Sequence, residues 1–336
     1  MAPSIRQARR RSILVTAVVA ATIAGSALPA SASFPDQGPR VLFARAKLPP
    51  ARTLSPSRGV GALDLFTMKP NGDDQVRVVK TDALLEYGGH WSPSGARMTF
   101  AGSKGKGNFD IYTAMADGTK RKQLTTTATN YSPNWSKNGQ QIVWTRLGGT
   151  GAGRRLSAAT LRGIDANLMV MNADGTDKHS IFTGLAMVPA WSPTAGRIAF
   201  STYDGDSLDI SWIKPNGLGL QQLTDFGTDT YSVFGDWAPD GNSFAMLFDS
   251  NVMARGGIAG YDLYLGTPEG TKPIFLAADA DLEFSPVFTA DGSRVIFVRN
   301  DGSDFELFSV RADGSGGEKQ LTTNGTDDIL SLVPLI

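Results

Sequence analysis

The sequence predicts an all-β fold, a six-bladed β-propeller of four-stranded antiparallel blades. Three observations predict it. A nine-residue strand-and-turn motif occurs six times, an aromatic turn motif alternates with it, and together they cover nearly the whole chain after its N-terminal segment. One blade cannot bury both of its faces, so its neighbours must cover them, and radial repetition of four-stranded sheets achieves this.

Each copy of the nine-residue motif begins with a polar residue and ends with Asn, Asp or Glu followed by glycine. Its apolar and aromatic residues predict a strand of about six residues. The closing pair predicts a tight hairpin turn, because glycine accepts the positive φ that such a turn requires. The six copies are DLFTMKPNG (64–72), DIYTAMADG (110–118), NLMVMNADG (167–175), DISWIKPNG (209–217), DLYLGTPEG (262–270) and ELFSVRADG (306–314).

The second motif combines an aromatic residue with a turn and precedes an apolar strand. Pro or Gly stands two positions before the aromatic residue, as at Pro133 and Gly235, and a Leu-Thr pair follows the glycine turn in several units. We expect the tryptophans of four copies to pack as core between blades. The five copies are WSPSG (91–95), WSKNG (135–139), WSPTAG (191–196), WAPDG (237–241) and FTADG (288–292).

The two ends of the chain complete the sixth unit. FPDQGPRVLF (34–43) matches the turn and second strand of a blade, and DILSLVPLI (328–336) matches the first strand. We therefore expect the C-terminal strand to join the N-terminal blade and close the ring. This closure would hide sheet edges that otherwise invite aggregation.

The N-terminal residues 1–32 predict a signal peptide, which leaves 33–336 as the propeller. Four arginines precede an apolar, alanine-rich stretch at 13–30, and Ala30-Ser31-Ala32 fits the small-x-small cleavage rule. We expect an exported protein, secreted, extracellular or in the periplasm and cell envelope, with no stable membrane span after cleavage. The alternative is an uncleaved membrane anchor.

Composition limits the function classes. Cleavage would remove four arginines and no acid, which leaves 28 basic and 32 acidic residues and a net charge of −4. Nucleic-acid binding relies on neutralising phosphates, so we expect no nucleic-acid partner. The absence of cysteine excludes disulfides and thiolate metal sites, and two histidines cannot supply a three-imidazole site. We expect a monomer.

The W-S-P-x-G turn, the apolar strand, the D-I-Y-x-M-x-A-D-G-T stretch and the following L-T together resemble the TolB-type propeller repeat. The resemblance covers nearly the whole mature chain and implies a rigid interaction platform. TolB itself is periplasmic and carries a separate α/β domain before its blades. We expect this chain to be a stand-alone propeller without that domain, which puts TolB's membrane partnerships in doubt. Relatives also include accessory domains of exported peptidases, and some are lyases, so the fold does not decide the function.

Three loops between the second and third strands of their blades are long, at 47–62, 147–166 and 249–260. Long loops are often functional, and basic ones on an acidic protein predict a surface for an anionic ligand or partner. The alternative is a set of flexible, solvated loops with no ligand. The basic residues are Lys47, Arg52, Arg58, Arg154, Arg155, Arg162 and Arg255.

Polar residues also mark two other places. His90, Asn134 and Asp236 stand directly before a tryptophan and are expected to line the channel, where they could bind a small molecule or simply satisfy backbone groups. Asp279, Asp281 and Glu283 alternate on the connection into the last blade and could hold a hard cation. The alternative is a solvated connector, so no cofactor is expected beyond a possible structural calcium ion.

These observations favour a non-catalytic binding or scaffolding module that engages a protein or an envelope polymer through its loop-rich face. The sequence has no G-x-S-x-G elbow and no phosphate-binding loop before a helix pattern. Two alternatives stay open. One is a secreted hydrolase or lyase acting on a polysaccharide or cell-wall polymer. The other is a subunit of an envelope or export complex with a TolB-like role.

Overall fold

The computed structural model describes residues 32–34, 38–46, 63–79, 85–103, 108–127, 129–148, 165–228, 230–249, 261–270, 273–277, 283–300 and 304–330. These ranges contain twenty-five β-strands in five sheets and no helix, which confirms the all-β prediction. Consequently, no described segment is a helix long and apolar enough to cross a membrane.

The five sheets follow the order of the chain. Sheet I contains β1 (Ala32–Phe34), β2 (Gly38–Ala46), β3 (Leu63–Met68), β4 (Val76–Arg77) and the C-terminal β25 (Asp328–Ile329). Sheet II contains β5 (Leu85–Trp91), β6 (Arg97–Ser103), β7 (Asp110–Met115) and β8 (Lys122–Gln123). Sheet III contains β9 (Thr129–Trp135), β10 (Gln141–Gly148), β11 (Asp165–Asn172) and β12 (His179–Phe182).

Sheet IV has eight strands and is best described as two halves. Half IVa contains β13 (Ala186–Trp191), β14 (Ile198–Tyr203), β15 (Leu208–Ile213) and β16 (Gln221–Gln222). Half IVb contains β17 (Tyr231–Trp237), β18 (Phe244–Asp249), β19 (Asp262–Gly266) and β20 (Ile274–Ala277). Sheet V contains β21 (Glu283–Phe288), β22 (Arg294–Asn300), β23 (Phe305–Arg311) and β24 (Lys319–Gln320).

The sheets form a propeller-like ring. Within each sheet or half, consecutive strands pair antiparallel. The two halves of sheet IV are joined by one parallel pair, Leu208 with Tyr231. The first strands β5, β9, β13, β17 and β21 each contact the next in this order, and β25 contacts β23 of sheet V.

Both ends of the described chain meet in sheet I. The C-terminal strand β25 pairs with β2 through Ala44 with Ile329 and Arg45 with Asp328, which confirms the pairing expected of the segment 328–336 as far as it is described. The Asp328 carboxylate is fully buried and accepts hydrogen bonds from Arg45 Nε at 2.6 Å and Nη2 at 2.7 Å. Of the expected signal peptide 1–32, only its last residue, in β1, lies within the described residues.

The polar residue that opens the nine-residue motif ties two strands of a sheet together. In sheet II the Thr125 hydroxyl donates to Asp110 Oδ1 at 3.0 Å and accepts from the Ile111 backbone N–H at 2.9 Å. The Leu-Thr pair therefore serves to hold the outer strand to the third strand. The same arrangement recurs with Thr224, Asp209 and Ile210 in half IVa and with Thr322, Glu306 and Leu307 in sheet V.

The glycine that ends the motif is a point of close contact between neighbouring sheets. Gly118 has φ +79°, and a Cβ there would clash with the carbonyl oxygen of Val78 in sheet I. A Cβ on Gly72 would lie 2.6 Å from the carbonyl oxygen of Leu321, which joins sheet I to sheet V. The other pairs are Gly175 with Leu124, Gly217 with Ile181, Gly270 with Leu223 and Gly314 with Ile274. Each turn thus lies against the preceding sheet, all the way round the ring.

The recurring tryptophans belong to the core, as expected. Trp91, Trp135 and Trp237 are buried, and Trp191 is half-buried. The Trp237 ring lies 5.5 Å from the Phe244 ring in an edge-on arrangement, measured between centroids. Such aromatic pairs add to the stabilisation from burial alone.

We expect Gly118→Ala to lower the free energy of unfolding by about 2–4 kcal/mol, since it adds both a positive-φ penalty and a clash between sheets. Gly196→Ala is the matched control, because Gly196 also has a positive φ (+58°) but has nothing within 4 Å of its Cβ position. That control should lose only about 1–2 kcal/mol. Equal losses in chemical denaturation would contradict the close-contact role.

The carboxyl group of Glu306 in sheet V, which interacts with Asp328 of the C-terminal strand β25, is sensitive to pH. The pKa of Glu306 is raised from 4.5 to about 7, mainly by burial and also by the neighbouring carboxylates of Asp328 and Asp304, against hydrogen bonds from Thr322 and Asn324 that lower it. Burial also raises the pKa of Asp328 despite its pairing with Arg45. A raised carboxyl pKa stabilises the folded state at low pH, and this contribution is lost as the pH rises through about 7.

Replacing Glu306 by Gln should therefore stabilise the protein more at pH 8 than at pH 5, relative to the unmodified chain. The measurement is the difference in melting temperature between the two proteins at each pH. Using the difference removes the contribution of other titrating groups. A difference that does not change between pH 5 and pH 8 would show that Glu306 titrates normally.

Candidate functional site

The inner strands share a β-bulge that sets the direction of the channel-facing residues. The pairing register shifts in β5, β9, β13, β17 and β21 just before the aromatic residue. Ser132, Val188 and Ser285, each followed by proline, have φ values of 49°, 50° and 54°. Bulges re-aim side chains and are often found beside functional sites. They also explain why the sequence places Pro or Gly two positions before the aromatic residue.

The bulges bring His90, Asn134 and Asp236 around one cavity at the centre of the ring. The four recurring tryptophans lie around the same cavity. Its volume is about 40 Å³, and the adjoining cavity lined by His90, Ser132 and Val188 measures about 10 Å³. A water molecule occupies roughly 30 Å³ of liquid, so the space here is suited to water or to a single ion.

His90 occupies this cavity as a neutral imidazole. The Asn134 side-chain amide donates to His90 Nδ1 across 3.2 Å, which requires an unprotonated Nδ1. Burial lowers the pKa of His90 from 6.5 to about 4. The ring is therefore neutral at physiological pH, with its proton on Nε2.

Asn134 and Asp236 each reach the first strand of the following sheet. Asn134 Oδ1 accepts a hydrogen bond from the Trp191 backbone N–H at 3.3 Å. Asp236 Oδ2 accepts one from the Phe288 backbone N–H at 3.1 Å. These contacts join sheet III to half IVa and half IVb to sheet V. These contacts agree with the second interpretation of this position, in which polar side chains form hydrogen bonds with backbone groups rather than with a ligand.

The other candidate residues lie outside the described part of the chain. This holds for the basic loop residues Lys47, Arg52, Arg58, Arg154, Arg155, Arg162 and Arg255, and for Asp279 and Asp281. Glu283 begins β21, but its side chain is outside the description. An anion-binding loop face and a cation site on the connector therefore stay predictions.

The structure also contains a large cleft that sequence reasoning missed. It lies between sheets I and II and has a volume of about 1060 Å³. One wall is the outer strand β4 with the residues after it, and the other is the turn 116–121. The basic residues of two separate repeats meet here, including Lys69 and Lys120. The sequence has a lysine or arginine in each of the two glycine turns. This pattern predicts a basic cleft only once the two turns are known to face each other.

Comparisons with known proteins agree with the architecture. The chain is similar to TolB from Acinetobacter baumannii, with a TM-score of 0.68, 17% identity, and coverage of 86% of this chain and 65% of that one. An oligogalacturonate lyase in complex with manganese matches with a TM-score of 0.55, 12% identity, and coverage of 77% and 70%. A puromycin hydrolase matches with a TM-score of 0.55, 15% identity, and coverage of 88% and 45%.

These similarities show the fold alone. The chain spans less than two thirds of the length of the TolB structure that it matches. No protein-family model matches the chain, and no curated protein matches it in sequence. The prediction of a TolB-like, propeller-like all-β ring is supported in this form.

The neutral state of His90 predicts a specific loss of stability in acid. A lowered histidine pKa stabilises the folded state above pH 6.5, and this contribution is lost as the pH falls towards about 4. At pH 5 the unmodified chain should lose about 2 kcal/mol relative to pH 7.5 from this group. The His90→Asn variant, which carries the residue found at the same repeat position in sheet III, should not show this loss. Parallel pH dependences of unfolding for the two proteins would contradict a buried, neutral His90.

Proposed function

We propose that this chain is an exported, monomeric six-bladed propeller that acts as a binding or scaffolding module for a protein or an envelope polymer. Sheets I, II and III, halves IVa and IVb, and sheet V would be the six blades. Each contains one copy of the nine-residue motif, and each turn glycine lies against the preceding unit. This count treats the single parallel pair between Leu208 and Tyr231 as a contact between adjacent blades.

The narrowness of the central cavity is the observation that carries this proposal. Small-molecule sites commonly occupy roughly 300–1,000 Å³. The described centre of the ring leaves about 40 Å³, and its polar residues already bond to neighbouring strands. Recognition would then use other surfaces, for which the clefts between sheets and the long loops predicted from the sequence are the candidates.

Export is supported by the sequence pattern of residues 1–32 and by its position relative to the fold. The expected cleavage point precedes Ser33, and Ser33 pairs with Pro39 in sheet I. A mature chain beginning there would lose the pair of Ala32 with Arg40 and keep the pairs of Ser33 with Pro39 and Phe34 with Gly38. The proposed location is the cell envelope or the exterior of the cell.

Replacement of the loop 149–164 by a short glycine-containing turn tests where the partner binds. Strand β10 ends at Gly148 and β11 begins at Asp165, so the exchange leaves both strands intact. We expect affinity capture from envelope and culture-supernatant fractions to recover a partner with the intact protein and not with the shortened one. The measurement is quantitative mass spectrometry of the captured material.

A second variant serves as control and separates charge from loop length. Arg154, Arg155 and Arg162 are changed to serine while the loop keeps its length. Loss of the partner in this variant would assign binding to the positive charges, as expected for an anionic partner. Full retention of the partner by the shortened protein would contradict the loop-face placement. Recovery of membrane proteins would favour the envelope-complex alternative, whereas the hydrolase or lyase alternative rests on fold similarity alone.

A further inference from the structure

We propose that the cleft between sheets I and II binds an acidic peptide segment of a partner protein. Carboxylates of the segment would meet Lys69 and Lys120, and its apolar side chains would lie on Val76 of β4 and the valine residues that follow. This inference goes beyond the proposed function, because the cleft is built from glycine turns and an outer strand rather than from the long loops.

The cleft has the size and shape of a binding site. Its volume of about 1060 Å³ accommodates several side chains. Gly118 of sheet II lies directly against Val78 of sheet I at one point, so the two walls are held together there. Strand β4 is the last strand in the order of sheet I within the described chain. An extended peptide can therefore add backbone hydrogen bonds along its outer edge.

The walls of the cleft carry an excess of positive charge. Five basic and two acidic side chains line it, and the buried carboxylates of Asp64 and Glu86, which pair with Arg77 and Arg121, reduce the excess to one positive charge. The basic residues are Arg40, Lys69, Arg77, Lys120 and Arg121, and the acidic ones are Asp74 and Asp117. Clefts lined by one sign of charge raise the local concentration of ligands of the other sign.

Three of the five basic side chains form ion pairs within the walls of the cleft. Buried Arg40 donates to Asp74 at 2.5 Å and to Thr67 Oγ1 at 3.0 Å, which fixes the turn of sheet I. In addition, Arg77 lies 2.8 Å from the buried carboxylate of Asp64, and Arg121 lies 3.6 Å from that of Glu86.

Lys69 and Lys120 are the cations left for a ligand. Both are exposed, and each has one acidic neighbour on the cleft wall, because Lys69 helps to lower the pKa of Asp74 and Lys120 helps to lower that of Asp117. They come from the glycine turns of neighbouring sheets, so they approach the cleft from its two walls. A ligand with carboxylates at both ends of a short extended segment suits this placement.

The floor of the cleft is apolar, which favours a peptide over other anions. Val76 is 45% exposed although it is a large apolar residue, and Val78, Val79 and Ala116 line the same cleft. A polyuronate or a phosphate polymer has no apolar side chains to cover these residues. An acidic peptide with apolar residues between its carboxylates covers them and removes Val76 from water.

A second cleft shows that the charge is not a general result of the repeat. It lies between half IVb and sheet V and has a volume of about 640 Å³. Its lining contains two basic residues, Arg294 and Arg311, against three acidic ones, Asp240, Asp291 and Asp313. Of these two clefts, the one between sheets I and II is therefore the one lined by more basic than acidic residues.

The test measures binding of a fluorescently labelled Glu-Val-Glu-Val-Glu-Val-Glu peptide to the full-length mature protein by anisotropy. We expect binding that weakens with added salt, and about a tenfold loss of affinity in each of Lys69→Glu and Lys120→Glu. Lys214→Glu is the matched control, because Lys214 occupies the same repeat position as Lys69 and is also exposed. Its affinity should equal that of the unmodified protein.

Three results would overturn the proposal. One is equal binding of the peptide in which every Glu is replaced by Gln. Another is unchanged affinity in both Lys69→Glu and Lys120→Glu with normal melting temperatures. The third is polygalacturonate competing as well as unlabelled peptide, which would assign the cleft to a polysaccharide. The loop-shortened variant should bind the peptide normally, so failure here and failure of the loop-face proposal are distinguishable.

Discussion

The close contact of neighbouring sheets at the turn glycines is the constraint on which the rest of the structure depends. At Gly72, Gly118 and Gly217 a Cβ would lie within 3 Å of a carbonyl oxygen of the preceding sheet, whereas Gly175 and Gly314 lie against side chains of the preceding unit. At the first three points the separation of the outer edges is therefore set by backbone contact. With the outer edges fixed, the inner strands are drawn together, and the aromatic and polar residues before each turn fill the centre.

Much of this architecture could be predicted from the sequence, because the repeated residues are those that form the stabilising contacts. The glycine spacing predicted the hairpins, and the ends of the chain predicted the pairing of β2 with β25. The role of the opening acid could not be predicted, since Asp110 lies 15 residues before Thr125 and only the folded sheet brings the two side chains into contact. The cleft could not be predicted from the sequence for a related reason. Lys69 and Lys120 belong to different copies of the motif and become neighbours only when sheets I and II pack together.

The centre of the ring shows how a position that looks functional can be structural. His90, Asn134 and Asp236 share a position and a cavity, as a ligand-binding ring would. Their hydrogen bonds, however, run from one sheet to the next, and burial keeps His90 uncharged. The same repeat position is used by alanine in β13 and by valine in β21. The residue at this position can therefore vary between sheets where another contact joins them. The residues that could bind a ligand lie instead at the outer edge of the ring.

The pairing of β2 with β25 also sets an order of events. In this pairing Arg45 and Asp328 are 283 residues apart in the chain. A contact between such distant positions must wait until β25 has been synthesised and carries the entropy cost of closing a very long loop. Sheets II and III can form from local segments, whereas sheet I stays incomplete until Asp328 is available to Arg45. A chain interrupted before β25 would therefore leave the edge of β2 that β25 pairs with open.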